Sequence, residues 1–247
     1  MESNLNLEGK TAVITGASRG IGLGMAQVFQ QHGMRLGLCA RGEIPLQGSD
    51  LLCRSLDVAQ PGAIADFCQE VEDAHGTIDL WVNNAGVLSP IAPLRKVSRQ
   101  EWDGHLAVNL GGVFEGSRAY VLHLHRRKAR GCLINLSSGA AANAYPGWSA
   151  YCAGKAAVER MSQCLQQEEG DRVRVFSLAP GVVDTDMQTL IRGASKEDFP
   201  PVDKFLELKE KQAFNSPEFV AEGILLLAFG DSSQDHVVAT ALPYHPG

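Results

Sequence analysis

The chain has 247 residues, of which 45% are hydrophobic and 20% charged, as in an ordinary globular protein with a sizeable core. Its formal net charge of −6 opposes binding to nucleic acids and to anionic membranes, so neither is expected as a partner. The opening MESNLNLEGK lacks the apolar run of a signal peptide, and six scattered cysteines without CxxC spacing fit a reduced, cytoplasmic protein.

Apolar runs with strand character alternate with segments of helical period along the whole chain. Strands are predicted at 10–15, 34–40, 51–58, 78–86, 131–138 and 172–181, with a weak one near 236–241. Helices are predicted at 20–33, 61–75, 98–127, 148–168 and 217–229. This alternation predicts a single α/β domain over residues 1–247, with a doubly wound, parallel, seven-stranded sheet of the Rossmann type.

Three segments have features of their own. Residues 41–50, RGEIPLQGSD, contain two glycines and a proline, which is too broken a pattern for a full crossover helix. The helix from 98 begins with a capping box of Ser98 and Glu101. Residues 187–216 form a long, charged insertion with a Pro-Pro break, here called the lid segment, because such insertions often cover a site.

Two motifs could carry chemistry. Tyr151 and Lys155 are four positions apart among small residues, so on a helix they share a face, although such a pair alone is more often an ordinary surface feature. The turn from Thr15 to Gly22 lies between the first strand and the first helix, where glycines let a pyrophosphate approach helix N-terminal amides. The seven histidines show no metal-ligand spacing, so no metal is expected.

TGxxxGxG at 15–22, NNAG at 83–86 and YxxxK at 151–155 together resemble the short-chain dehydrogenase/reductase family in its single-domain form. The resemblance runs from about residue 7 to 187 and implies a catalytic set of Ser138, Tyr151, Lys155 and Asn109. Ser138 lies thirteen positions before Tyr151, the usual spacing of this family, which makes Ser137 the weaker choice. Tyr151 is then the proton donor to a carbonyl oxygen, Lys155 lowers its pKa, Ser138 polarises the substrate, and Asn109 holds a water that links Lys155 to solvent.

The same resemblance predicts a nicotinamide cofactor and its binding residues. The junction after the second strand, Cys39-Ala40-Arg41, lacks the acid that holds an NAD ribose, and the guanidinium groups of Arg19 and Arg41 favour the 2′-phosphate of NADPH/NADP+. The full expected set is Gly16, Ser18, Arg19, Gly20, Ile21, Gly22, Arg41, Asp57, Val58, Asn84, Ala85, Gly86, Tyr151, Lys155, Pro180, Gly181, Val183 and Thr185.

Within the family, GWSAYCAGKAA, APGVVDTDMQ and FLELKEK look like the sepiapterin reductases and the benzil reductases. Sepiapterin reductases carry an Asp after a C-terminal His-Val pair, whereas here His236-Val237 is followed by Val238, which disfavours a pterin. Family position predicts an apolar substrate pocket of Ala140, Tyr145, Trp148, Val182 and Met187.

These features predict an NADPH-dependent carbonyl reductase whose small-molecule substrate is a ketone, a vicinal diketone such as benzil, or a sepiapterin-like side chain. By family resemblance the protein is expected to be a homodimer or homotetramer. An alcohol or hydroxysteroid dehydrogenase that works oxidatively remains an alternative within enzymes. A non-catalytic NADP-binding sensor is an alternative of another class, disfavoured because a sensor needs no complete catalytic set.

Overall fold

The computed structural model of the chain describes residues 5–230 and 237–239. All seven strands pair in parallel in the order β3-β2-β1-β4-β5-β6-β7, which confirms the predicted doubly wound sheet. The strands are β1 (Thr11–Thr15), β2 (Arg35–Ala40), β3 (Leu51–Ser55), β4 (Leu80–Asn83), β5 (Gly131–Leu136), β6 (Val173–Leu178) and β7 (Val238–Ala239).

Eight α-helices are described, with a π-helical turn at Ala107–Gly111 between the third and fourth. They are α1 (Gly20–Gln31), α2 (Ala63–His75), α3 (Arg99–Leu106), α4 (Gly112–Arg127), α5 (Ser149–Glu169), α6 (Asp186–Arg192), α7 (Val202–Glu210) and α8 (Pro217–Phe229). No helix spans the described residues between β2 and β3, as the broken sequence at 41–50 predicts.

The sheet is covered on both faces, and each face has its own apolar core. On one face, Met25 and Phe29 of α1 and Ile224 of α8 pack against sheet residues such as Ile14 and Val82. On the other face, helices α2, α4 and α5 pack against the sheet, with Phe67, Tyr120, Leu165 and Trp81 among the contacting residues. Burial of both faces explains why central strands such as β1 and β4 are mostly apolar rather than alternating, whereas β3 at the edge ends in exposed residues.

The predicted helix at 98–127 begins as expected and then changes its winding. The Ser98 side chain accepts a hydrogen bond from the Glu101 amide, and the Glu101 carboxylate accepts one from the Ser98 amide, so the predicted capping box is confirmed. The π-helical turn at Ala107–Gly111 then precedes Gly112. It contains Asn109, whose side chain bonds to the loop after β4 rather than remaining on the helix surface.

A chain of buried polar side chains crosses the middle of the second core. Trp81 donates to the side-chain oxygen of Asn83 at 2.8 Å, and the Asn83 amide donates to Asn135 on the neighbouring strand, also at 2.8 Å. The Asn135 amide in turn donates to Ser162 of α5 at 2.9 Å. These bonds satisfy amides that would otherwise be costly to bury, and they join β4, β5 and α5.

Candidate active site

The turn between β1 and α1 requires glycines because its backbone packs closely against the residues that follow β4. Gly16 has φ +71, and a Cβ there would lie 2.8 Å from the Cα of Ala85. A Cβ on Gly22 would lie 2.3 Å from the Gly16 carbonyl oxygen. Any side chain at either position would therefore push the turn away from the residues that follow β4.

The loop after β4 is fastened to this turn by side chains. The Thr15 hydroxyl oxygen accepts hydrogen bonds from the amides of Asn84 and Ala85, both at 3.0 Å. The Asn84 side chain donates to the carbonyls of Thr15 and Gly16 at 2.7 and 3.1 Å. In this structure Asn84 and Ala85 thus hold the loop in shape, and Gly86 lies against Asn109, whose Oδ1 would be 2.9 Å from a Gly86 Cβ.

The N-terminus of α1 can receive an anion. Arg19 at its N-cap makes no side-chain capping hydrogen bond, which leaves first-turn amides of Gly20, Ile21 and Gly22 without a capping acceptor. Ser18 lies near the residues that follow β2: its Oγ would be 4.0 Å from a Cβ added to Gly42. The residue before Gly42 is the exposed Arg41. Amides without a capping acceptor at the start of a helix suit the phosphate groups of a dinucleotide.

Arg19 also makes a contact that the sequence pattern does not predict. Its guanidinium pairs with the Asp186 carboxylate at 3.0 Å, and both side chains are 73% exposed. Asp186 is the first residue of α6, so the pair joins this turn to the helix in which the lid segment begins. Such an exposed pair is weak, and a cofactor phosphate would compete for Arg19 at little cost.

The remaining predicted cofactor residues surround the same edge of the sheet. Asp57 and Val58 follow β3, and one Asp57 oxygen accepts the Ala59 amide at 2.9 Å. After β6, Gly181 has φ +75, and Thr185 lies so close to the first turn that its Cγ2 would be 3.2 Å from a Gly20 Cβ. Four chain segments therefore converge at the carboxyl ends of the strands, where doubly wound sheets bind ligands.

Sequence reasoning missed Asn215, which shapes the segment after β6. Its side-chain amide donates to the Pro180 carbonyl at 3.0 Å, and its backbone amide donates to the Val182 carbonyl at 2.8 Å. Asn215 also forms a bridge with the buried Val183. The only sequence signal was an asparagine just before the Ser216 cap of α8, which is too common to be informative.

Ser138, Tyr151 and Lys155 are brought together between β5 and α5. Tyr151 and Lys155 are 7% and 6% exposed, and the Lys155 ammonium lies 5.7 Å from the centroid of the Tyr151 ring. Ser138 is half-buried and hydrogen-bonds Tyr151, whereas Ser137 is buried and donates to Glu159 at 3.0 Å. The geometry thus separates the two serines in the way the spacing predicts.

The electrostatics of this cluster differ from expectation in one respect. Burial raises the pKa of Tyr151, and its hydrogen bond with Ser138 opposes that rise only in part. Burial also lowers the pKa of Lys155 to about 8, and the amine donates to the Leu136 carbonyl at 2.7 Å. The expected lowering of the Tyr151 pKa is therefore not found in this structure, because burial is the largest influence on this phenol.

Asn109 is buried beside this cluster, but its amide has specific protein partners. Its Oδ1 accepts from the Val87 amide at 2.9 Å, and its Nδ2 donates to the Val87 carbonyl at 2.7 Å. Nδ2 also lies 2.7 Å from Nε2 of His105, a second residue that sequence reasoning missed. A single histidine on α3, next to Leu106, gives no signal of this contact in the sequence.

Most of the residues predicted to line a substrate pocket lie together in one apolar cluster, which also includes residues of the lid segment. Ala140, Trp148 and Tyr151 form one apolar cluster with partly buried Tyr145 and Met187. From the lid segment, Phe199 stacks on Trp148 with ring centroids 4.4 Å apart. Other members contributed by the lid segment are Ile191, Val202 and Phe205. Val182 lies outside this cluster, on the segment that Asn215 holds.

The middle of the lid segment is pinned to the body of the protein. The Lys96 amine pairs with the carboxylates of Glu197 and Asp198 at 2.6 and 2.8 Å. Gly147 has φ +91, and a Cβ there would lie 2.2 Å from the Asp198 carbonyl oxygen. The lid segment therefore rests against the start of α5 in this structure.

Residues 5–230 and 237–239 contain neither a candidate metal site nor a candidate membrane-spanning helix. No group of three or more His, Cys, Asp or Glu side chains in this part of the chain could hold a metal ion. Of the helices formed by these residues, none combines the length and apolarity that crossing a bilayer requires.

Comparison with known proteins agrees with this geometry. The sequence profile of the short chain dehydrogenase family matches residues 10–196. A benzil reductase ((S)-benzoin forming) from Bacillus cereus is 34% identical over 227 residues, covering 86% of this chain and 91% of the relative. The Bacillus subtilis protein of the same name is 31% identical over 225 residues, covering 87% and 91%.

Solved structures show the same likeness. The KRED1-Pglu enzyme is 31% identical with a TM-score of 0.84, covering 93% of this chain and 100% of that one. A gluconate 5-dehydrogenase from Burkholderia cenocepacia, solved in complex with NADP and tartrate, is 25% identical with a TM-score of 0.82, covering 96% and 94%. The chain therefore belongs to the short-chain dehydrogenase/reductase family.

Proposed function

We propose that the protein is an NADPH-dependent carbonyl reductase that acts on small, neutral ketones. The observation that carries this proposal is the grouping of half-buried Ser138 with buried Tyr151 and Lys155 next to an apolar side-chain cluster, in a chain whose α1 N-terminus has no side-chain cap. The likeness to two benzil reductases supports the reductive direction.

Carbonyl reduction requires a hydride at carbon and a proton at oxygen, and bound NADPH would supply the hydride. Tyr151 donates the proton, and its burial-raised pKa keeps the phenol protonated at neutral pH, the state that a proton donor requires. Ser138 donates a hydrogen bond to the carbonyl oxygen as negative charge develops there. Lys155 stabilises the phenolate that remains and binds the cofactor ribose, while Asn109 supports the segment after β4.

The choice of NADPH over NADH rests on charge. The β2 strand ends at Ala40, and the next residue is the exposed Arg41 rather than an acid. With Arg19, it supplies two guanidinium groups for a 2′-phosphate, and losing such charge-assisted contacts costs about 1.5–3 kcal/mol. NADPH should therefore exceed NADH by at least tenfold in kcat/KM.

The substrate is inferred from the pocket side chains. Ala140, Trp148 and Met187 are apolar, and Tyr145 contributes a phenol, so burial of a flat aromatic ketone supplies affinity without ion pairing. A vicinal diketone of the benzil or 1-phenyl-1,2-propanedione type is the preferred class, because its second carbonyl makes the first a better hydride acceptor. Sepiapterin should be a weaker substrate because Val238 stands where sepiapterin reductases carry an Asp. The structure describes neither His236 nor the side chain of Val238.

The proposal is tested by measuring oxidation of NADPH with benzil, 1-phenyl-1,2-propanedione and sepiapterin as substrates. Tyr151→Phe should abolish turnover of all three while NADPH still binds, since the variant loses only the phenol hydroxyl that donates the proton. Tyr145→Phe, which removes a hydroxyl elsewhere in the pocket, is the matched control. Near wild-type turnover by Tyr151→Phe would overturn the mechanism, and no turnover of any carbonyl by the wild type would overturn the function.

We also propose that the chain acts as one cytoplasmic domain, with residues 187–216 as its substrate lid, and that it assembles as a homodimer or homotetramer. The assembly is supported by the outer faces of α4 and α5. Phe114 and Leu122 on α4 are 49% and 42% exposed, and small residues such as Ala153 and Ala156 face solvent on α5. Together these faces would form an apolar helix-to-helix contact between copies of the chain.

A further inference from the structure

His105 is 2% exposed, and both of its ring nitrogens have hydrogen-bond partners. Nδ1 lies 2.8 Å from the Ser89 carbonyl oxygen, which can only accept, so Nδ1 carries the proton. Nε2 lies 2.7 Å from Nδ2 of Asn109, which can only donate, so Nε2 is unprotonated. The ring is therefore a neutral imidazole in its Nδ1–H form.

The orientation of the Asn109 amide is fixed independently of His105. The Val87 amide must donate to Oδ1, and the Val87 carbonyl must accept from Nδ2, so a flipped amide would break both bonds. The imidazole tautomer thus follows from three backbone groups of two residues, Val87 and Ser89, rather than from the side chains alone.

The same ring lies next to the reacting groups. Its centroid is 6.0 Å from that of Tyr151 in an edge-to-face arrangement. Nε2 would lie 3.8 Å from a Cβ on Gly154, the residue just before Lys155, so α5 passes directly over the ring. The groups of α5 that face His105 are Tyr151 and Lys155. The group that faces it from the segment after β4 is the uncharged Ser89 carbonyl.

We propose that His105 is a positioning residue for carbonyl reduction, which in its neutral form fixes Asn109 and the segment 87–89 beside Tyr151, and which releases them when it is protonated. The proposal rests on the proposed reductase function. Protonation would place an N–H on Nε2 opposite the NH2 of Asn109, two donors face to face, and would add a cation near Lys155.

The environment favours the neutral form. Burial lowers the pKa of His105 below its ordinary value, the hydrogen bond to Ser89 opposes that shift, and the charge of Lys155 reinforces it. Because the folded-state pKa is depressed, the neutral form persists at neutral pH, and the contacts are lost only as pH falls through that lowered value. Reduction should therefore have an acid limb in kcat that depends on His105.

The experiment compares His105→Gln with His105→Leu. Glutamine can present its side-chain oxygen near the position of Nε2 and accept from Asn109 without titrating, whereas leucine fills the space and leaves the Asn109 donor unsatisfied. We expect His105→Leu to lower kcat roughly tenfold at pH 7.5, with the KM for NADPH within about twofold, and His105→Gln to recover most of that loss. The acid limb of the wild type should be absent from the kcat profile of His105→Gln.

Initial rates are measured from pH 5 to pH 8 with the spontaneous loss of NADPH subtracted, and circular dichroism verifies that each variant stays folded. Long-range ¹H–¹⁵N spectra of the imidazole rings, with His105 assigned by its absence in His105→Gln, should show the Nδ1–H tautomer at pH 7.5. An acid limb that persists in His105→Gln, equal kcat in the two variants, or an Nε2–H tautomer would overturn the proposal. A wild type that reduces no carbonyl would instead refute the reductase function, and the spectra would still report the tautomer.

Discussion

Replacing Gly147 with alanine tests whether the lid segment must rest against the start of α5 for activity. Gly147 has φ +91, a conformation that costs a non-glycine residue about 1–2 kcal/mol. Its new Cβ would lie 2.2 Å from the Asp198 carbonyl oxygen and 3.3 Å from the Phe199 ring. The lid backbone would have to retreat by about 1 Å, which separates the stacked rings of Trp148 and Phe199 and adds about 1–3 kcal/mol.

Gly62→Ala is the matched control because Gly62 has a similar φ of +83 and nothing within 4 Å of the new Cβ. In a chain of this size each kcal/mol corresponds to about 2–4 °C in Tm, so Gly62→Ala should lose roughly 2–8 °C and Gly147→Ala roughly 4–20 °C. Only Gly147→Ala should also lower kcat/KM for a diketone, by about tenfold, with unchanged NADPH affinity. Equal Tm and equal kcat/KM in the two variants, by thermal denaturation and initial rates, would refute the reasoning.

Four further predictions concern charge, assembly and specificity. Burial lowers the pKa of Lys155 from 10.5 to about 8, so the folded state binds this proton less tightly than the unfolded chain does. Lys155→Met should therefore raise the free energy of unfolding at pH 7 by up to about 3 kcal/mol. The same substitution should abolish turnover. The gain should shrink between about pH 8 and pH 10.5, so an equal Tm advantage at pH 7 and pH 10 would contradict it. Arg41→Ala should reduce the NADPH-to-NADH ratio of kcat/KM about tenfold. Arg130→Ala, at an exposed arginine beyond α4, should leave that ratio unchanged. The same ratio in both variants would count against Arg41 as a phosphate ligand. Phe114→Glu should shift the mass measured by light scattering at micromolar concentration towards the monomer, and a wild type that is already monomeric would exclude the helix interface. Val238→Asp should improve sepiapterin relative to benzil, and strong sepiapterin turnover without diketone activity in the wild type would show that the pterin anchor lies elsewhere.

The fold could be predicted from the sequence because its signals are local. Apolar runs of strand length and helical periods alternate along the chain, and the broken segment at 41–50 correctly excluded a helix there. The reasons for individual glycines were not visible, because the residue opposite Gly16 is Ala85, which is distant in the chain and near only in the folded state.

The candidate site could be predicted only where a motif has fixed spacing. Ser138, Tyr151 and Lys155 do lie together, and the two serines differ as the spacing indicates. His105 and Asn215 escaped prediction because each acts through backbone groups of other segments, at Ser89 and at Pro180, and no periodicity marks such contacts. The predicted lowering of the Tyr151 pKa was wrong in direction, because burial raises this pKa and the spacing of residues in the sequence does not reveal burial.

The buried amides of Asn83 and Asn135 have a consequence for how the chain finds its register. Apolar parallel strands such as β4 and β5 can slide past one another with little loss of hydrophobic burial, since each offers similar side chains at every second position. Sliding by two residues would separate these two amides, and each buried polar group left unsatisfied by that change would cost about 1–3 kcal/mol. The bond between the two asparagines therefore forms only when the central strands are in the correct register. Replacing both asparagines with apolar residues should give a stable protein whose strands β4 and β5 pair out of register more often during folding.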